Sequence, residues 1–292
     1  MILFSIKKAF FLVLLIGMYN SSFSQNNFLS FGGENDRVFV SGLTNSFEFT
    51  WEAWVYYPGQ LSEWEGIMEF GDDDNPWLGI HDGKLELYDE IVVDPDPFPT
   101  NVWTHVALTH SSTVSILYIN GVEVATGTVM SEEDATGTDL YIGGDEEGGD
   151  EEDFSGYIDE VRIWEIVRTQ QEIMDNMSSL EGSESGLVAY FKFCEGICAG
   201  DNLTVTNVMD SASAASQSGS NDGTLLNFEL SDCNSNFVCA GDVCDIPENG
   251  ATGCDELATI PTMGQWGVIL LSILMLILGT VVVRYRSKIL CE

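Results

Sequence analysis

From Phe47 to Val55 the chain alternates strictly. Phe47, Phe49, Trp51, Ala53 and Val55 fall on one parity, and Glu48, Thr50, Glu52 and Trp54 on the other. A period of two sends successive side chains to opposite faces of a strand. Residues 103–108 and 114–119 repeat the pattern. Asn120-Gly121, between Ile119 and Val122, marks a two-residue hairpin, because both central residues of such a turn need positive φ. Asp82-Gly83, between residues 78–81 and 84–88, marks a second. Turn signals of this kind recur about every ten residues, which predicts an antiparallel sandwich and not βαβ units. One helix stands out: Thr169 and Glu172 form a capping box ahead of Ile173, Met174 and Met177. About 170 residues are enough to bury one sizeable core.

The two ends carry a different signal. Lys7 and Lys8 precede a short apolar run at residues 9–18, and Ser22-Phe23-Ser24 offers small residues at the positions a signal peptidase reads. Cleavage is expected before Gln25, so residues 1–24 read as a signal peptide. Near the other end, residues 268–283 are apolar over about one bilayer thickness. Arg284, Arg286 and Lys288 follow as a basic stop that stays in the cytoplasm. Residues 25–265 are then exported. They hold five Lys and Arg against 46 of the 47 acids, a net charge of −41. Such a surface repels nucleic acid and anionic lipid, so no nucleic-acid partner is expected. It suits divalent cations or a salty medium.

Six of the seven cysteines lie outside the cytoplasm and after Phe193: Cys194, Cys198, Cys233, Cys239, Cys244 and Cys254. An even count in an oxidising compartment reads as disulfides. Six cysteines allow fifteen connectivities; the close spacings favour Cys194–Cys198, Cys233–Cys239 and Cys244–Cys254. Residues 25–196 form the sandwich and 197–240 a Cys-containing extension packing on or following it. Residues 241–259, poor in apolar side chains, read as a linker, and 260–292 as the C-terminal signal.

Six phrases carry a resemblance. They are residues 29–36 (Leu-Ser-Phe-Gly-Gly-Glu-Asn-Asp), 49–55 (Phe-Thr-Trp-Glu-Ala-Trp-Val) and 103–107 (Trp-Thr-His-Val-Ala), then 117–121 (Leu-Tyr-Ile-Asn-Gly), 154–164 and 186–193. In order and spacing they resemble the laminin-G-like, concanavalin A-type jelly roll of bacterial surface proteins. The resemblance implies two antiparallel sheets with Greek-key connections. It also implies one structural calcium near the first and last strands. The family's first-strand phrase is Phe-Asp-Gly, and Gly32 stands here where that Asp would be. Asp36 and Asp159 remain as candidate ligands, and the acidic loop with Asp145, Asp150 and Asp153 could supply more oxygens. Val161 and Ile163 are expected to share a strand face with Asp159, and Glu160, Arg162 and Trp164 to take the other.

The motif Ile260-Pro261-Thr262-Met263-Gly264-Gln265-Trp266-Gly267, followed by one span and a basic tail, resembles the C-terminal sorting signals of Gram-negative bacteria, the Ile-Pro-Thr-Leu-x-x-Trp-Gly class, with Met263 for Leu. The resemblance implies an exosortase-type membrane protease as partner. It implies an inner-membrane precursor held by residues 268–283, then delivery to the cell surface or extracellular matrix. A permanent single-pass anchor is the alternative.

Catalysis is not expected. The Glu-x-Asp-x-x-Glu strand motif of laminarinase-like hydrolases is absent, and no nucleophile elbow or phosphate loop occurs. His105 and His110 are five residues apart on strand-like sequence and would face opposite sides. The expectation is a non-catalytic surface module that binds a glycan or a surface protein with calcium assistance. The alternative is a structural spacer or coat protein without a specific ligand.

Overall fold

The computed structural model describes residues 27–33, 35–59, 63–71, 76–87, 91–145, 152–178, 180–193, 205–212, 221–228, 237–239, 243–244 and 254–255. Both termini, with the signal peptide, the sorting motif, the apolar run 268–283 and the basic stop, lie outside these residues, as do Asp150, Cys194, Cys198 and Cys233. Among the described residues no helix is long and apolar enough to cross a membrane.

The strands in chain order are β1 (Asn27–Gly32), β2 (Arg37–Thr44), β3 (Phe49–Tyr56), β4 (Trp64–Phe70), β5 (Trp77–His81), β6 (Lys84–Leu87), β7 (Val92–Val93), β8 (Trp103–His110) and β9 (Ser115–Ile119). They continue with β10 (Val122–Gly127), β11 (Thr138–Ile142), β12 (Ser155–Trp164), β13 (Leu187–Phe191), β14 (Asn207–Val208), β15 (Gly223–Leu226), β16 (Phe237–Cys239), β17 (Val243–Cys244) and β18 (Cys254–Asp255). Two short helices are described, α1 (Glu132–Ala135) and α2 (Gln170–Asn176).

The strands form two antiparallel sheets, the jelly-roll sandwich that the alternation predicts. The first runs β10-β9-β8-β3-β12-β1-β16, and β13 pairs the second half of β12 where β1 leaves off. The second runs β14-β15-β2-β11-β4-β5-β6-β7. The chain passes repeatedly from one sheet to the other, and β14 and β15 extend the second sheet beside β2. In the separate β17–β18 pair, Cys244 and Cys254 stand opposite each other.

Both expected hairpins form. Asn120 and Gly121 have φ of 50° and 74°, and Asp82 and Gly83 have 49° and 72°, values an Asn-Gly or Asp-Gly pair reaches at low cost. The capping box is present: Thr169 accepts from Glu172 N, and the Glu172 carboxylate accepts from Thr169 N. One continuous core lies between the sheets. Phe49, Trp51, Ala53 and Val55 of β3 meet Leu78, Ile80, Leu85 and Leu87 of β5 and β6. At about 25 cal/mol per Å² of apolar surface, this burial is the main term holding the sandwich together.

The outward parity of β3 is also buried. Thr50, Glu52 and Trp54 are shielded from solvent although they face away from the core. Helix α2 and the chain after it lie over this face: Trp54 Nε1 donates to Met177 O at 2.7 Å, and Ile173 packs on Ala107 and Tyr118. A helix of about two turns is too short to hold itself together, so its packing and its cap decide that it forms.

Candidate functional site

Cross-strand partners share a face, so register assigns each polar side chain to one of three places. The first is the outer face of the β3 sheet. Glu52 lies there, fully buried, with three cationic or donor groups around it. Arg168 pairs with Glu52 Oε1, Arg162 Nη1 lies 3.4 Å from Oε2, and His105 Nε2 lies 3.3 Å from Oε2. Arg162 also donates to Glu160 at 2.6 Å, and Tyr190 OH donates to the same carboxylate oxygen. The guanidinium groups close the end of α2 as well. Arg162 donates to Asn176 O at 2.8 Å and Met177 O at 3.1 Å, and Arg168 to Glu172 O at 2.7 Å. The Asn176 and Met177 carbonyls are among those a helix C-terminus leaves unpaired, at its negative end, and that of Glu172 lies one turn earlier.

Burial alone would raise the Glu52 pKa, but His105 and the two guanidinium groups outweigh it and hold the carboxyl at about 2. His105 moves down because burial outweighs the pull of Glu52. The network is therefore a carboxylate between two arginines with a neutral histidine. It is enclosed by sheet and helix, which suits a structural clamp and not a binding site.

Asp159 belongs to this outer face, which corrects its expected placement. Asp159 pairs with Trp54, whereas Val161 and Ile163 face the core. The cause is a bulge between Asp159 and Arg162, with Glu160 at φ 53°, which flips the alternation. Asp159 spends one oxygen on Glu160 N at 2.8 Å.

The second place is the corner between β1 and β2. Asp36 accepts from Gly32 N at 2.7 Å and Asp153 from Asn35 N at 2.8 Å, and Asp153 also lies beside Gly144, next to Asp145. Asp36 and Asp153 thus both serve the Gly32–Asn35 turn, and Asp145 is the residue after Gly144. Asp159 is four residues beyond Ser155 on the same strand, about 13 Å at the usual rise, and is not of that group. Among the described residues, one set of three His, Cys, Asp or Glu ligand atoms lies within 4.8 Å of one another, and it is not at this corner. The described carboxylates there do not close a calcium shell of six to eight oxygens.

The third place is the outer face of the other sheet. Phe39, Tyr141, Glu69 and Trp77 form one row across β2, β11, β4 and β5. Gly66, Gly79 and Glu86 form the next, and Trp64, His81 and Lys84 the last. The two adjacent glycines let the Trp77 indole lie flat on the sheet: a Cβ on Gly79 would overlap the ring and come within 2.5 Å of Glu65 O. Trp77 is 2% exposed, and its Nε1 has no hydrogen-bond partner among the described residues. Trp64 packs edge-on against Trp77 at 5.8 Å and face-to-face on His81 at 3.5 Å, and both Trp64 and His81 reach the surface. Glu86 Oε2 lies 3.0 Å from His81 Nδ1. Gly79→Ala is expected to displace the Trp77 ring at a cost of about 1–3 kcal/mol. Loss of the near-ultraviolet tryptophan signal, with β-sheet content retained, checks this.

The sequence reading named no site on this face. The signal was available in the turn. Once Asp82-Gly83 fixes the register, His81 must oppose Lys84 and Gly79 must oppose Glu86, so Trp77, Gly79, His81 and Glu86 fall on one face. The histidines behave as expected: His105 faces outward and His110 inward, stacked on Phe49, with Nε2 accepting from Met130 N at 3.1 Å.

The two antiparallel sheets make a jelly-roll sandwich. The family described as the concanavalin A-like lectin/glucanases superfamily matches residues 31–174, from the end of β1 into α2. No curated protein matches the chain. Among solved structures, a candidate carbohydrate binding protein from Bacteroides ovatus is similar, with 24% identity and a TM-score of 0.52 over 69% of this chain. The chain spans 58% of the length of that protein, and the likeness is one of fold. A heptameric SAP-like pentraxin from Limulus polyphemus aligns at 16% identity over 51% of this chain and 81% of its own, with a TM-score of 0.43. Domain 4 of an extracellular arabinanase from Geobacillus stearothermophilus, solved with arabinotriose, aligns at 26% identity over 50% of this chain and 74% of its own, with a TM-score of 0.41.

Proposed function

We propose that the chain is a non-catalytic glycan-binding module of the cell surface or extracellular matrix, and that it engages sugar through the outer face of the second sheet. One observation carries this reading. Trp64 and His81 form a stacked aromatic surface on a sheet face that needs no aromatic for the core, with Trp77 as a rigid support beneath. An apolar ring face beside fixed polar groups is the composition of small-ligand sites, and Lys84 and Glu86 supply the polar groups. The matched family and the carbohydrate binding attributed to the Bacteroides protein support it. Calcium assistance, with Asp36, Asp145, Asp150 and Asp153 as candidate ligands, rests on the family resemblance alone. The export and sorting steps, with an exosortase-type protease as partner, rest on the terminal sequences alone.

The non-catalytic part rests on the sequence, which lacks the Glu-x-Asp-x-x-Glu strand motif of laminarinase-like hydrolases.

A glycan array followed by calorimetry on the best binder tests the site. Trp64→Ala is expected to weaken binding at least tenfold, about 1.4 kcal/mol, with the melting temperature little changed. Unaltered affinity in Trp64→Ala would move the site elsewhere. An array without a binder would favour the structural spacer, and release of reducing ends would overturn the non-catalytic reading.

A further inference from the structure

The set of three ligand atoms within 4.8 Å belongs to Glu63, His81 and Asp82, at the β5–β6 turn. Backbone geometry draws them together. Asp82 and Gly83 make the tight turn, and Asp82 N donates to Glu63 O at 3.1 Å, which holds the residue before β4 against it. The imidazole is fixed on two sides. Trp64 stacks on its face with an interplanar angle of 10°, and the Glu86 carboxylate, 2% exposed, meets Nδ1. In the tautomer that donates Nδ1–H to this carboxylate, Nε2 keeps its lone pair. A carboxylate on one imidazole nitrogen, with the Glu63 and Asp82 carboxylates within 4.8 Å of a ring nitrogen, is the kind of arrangement that orients a metal-bound histidine.

We propose that Glu63, His81 and Asp82 bind one divalent transition cation of the zinc class, with Glu86 as the positioning residue behind His81. The donor set selects the ion. One imidazole nitrogen and two carboxylates suit zinc, with three protein ligands and a fourth position left open. Calcium prefers six to eight oxygens and gains little from a nitrogen. A doubly charged ion also relieves three carboxylates held together on a strongly acidic chain. The site shares His81 and Glu86 with the proposed sugar-binding face, but the zinc titration needs no sugar, so its outcome is read apart from that of the glycan array.

The test is zinc titration of the metal-stripped full chain with free thiols blocked, in millimolar calcium at constant ionic strength. Calorimetry and tryptophan fluorescence are read together, because Trp64 lies against His81. One saturable zinc site with a fluorescence change is expected. His81→Ala should abolish it, and Glu86→Gln should weaken it 10–100-fold, the usual effect of losing such a partner. Asp82→Asn keeps the turn, since Asn-Gly is itself a favoured pair, yet should weaken zinc at least tenfold. Acidification should release the ion as the ligands take up protons. The same isotherm in the parent and in His81→Ala, or displacement of zinc by equimolar calcium, overturns the proposal. So does an unchanged zinc affinity in Asp82→Asn, which remains informative if the His81 variant fails to fold.

Discussion

Arg162→Ala is expected to lose about 3–5 kcal/mol of stability, the usual cost of stripping the partner from a buried charge. Arg162 is fully buried and serves four acceptors: the Glu52 and Glu160 carboxylates and the carbonyls of Asn176 and Met177. Alanine would leave Glu160 without its guanidinium and the end of α2 unpaired. For a domain of this size the loss corresponds to a fall in melting temperature of roughly 6–20 °C. Arg162→Lys should recover only part of it, because one ammonium cannot spread over four acceptors as a planar guanidinium does. Thermal and urea unfolding of both variants check the ranking. A loss under about 1 kcal/mol in Arg162→Ala would mean that Arg168 and His105 neutralise Glu52 unaided.

That arginine marks where the sequence could be read and where it could not. The strands were legible because their information is local. Alternation in β3 and β8, Asn120-Gly121, Asp82-Gly83 and the Thr169–Glu172 box each state their geometry within a few residues. The buried network was not legible, because Glu52, His105 and Arg162 come from three strands and Arg168 from the turn before α2, and they meet only when β3 lies between β8 and β12. A clue existed in the scarcity of cations. In an exported part with five basic residues, two that carry the chemistry of a packed interface have a reason to be there. Asp159 was misplaced for a different cause. A single bulge at Glu160 reverses the parity of a strand, and nothing in residues 155–164 announces it. The aromatic face of the other sheet lay between the two cases, since it follows from a turn the sequence did declare.

Glu52→Gln should separate the clamp from the general acidity of the chain. Glu52 has an ordinary value of 4.5 and is held at about 2 in the folded protein. A group whose pKa is depressed on folding contributes stability that is complete above its unfolded value and is lost as pH falls through its folded value. Here the window runs from about 4.5 down to about 2, and 1.36 kcal/mol per unit gives about 3 kcal/mol across it. His110 is also depressed by burial, and its contribution falls away below the unfolded histidine value of 6.5 in parent and variant alike, whereas His105 loses the pull of Glu52 in the variant and adds a separate difference below that value. The many surface carboxylates, which repel one another less as they protonate, are likewise common to both proteins. The stability gap between parent and Glu52→Gln is therefore expected to stay wide above pH 5 and to narrow by about 3 kcal/mol by pH 2. Urea midpoints measured at half-unit steps read it directly. A gap that does not change with pH would mean that burial prevails over the two arginines and that the folded protein holds Glu52 protonated.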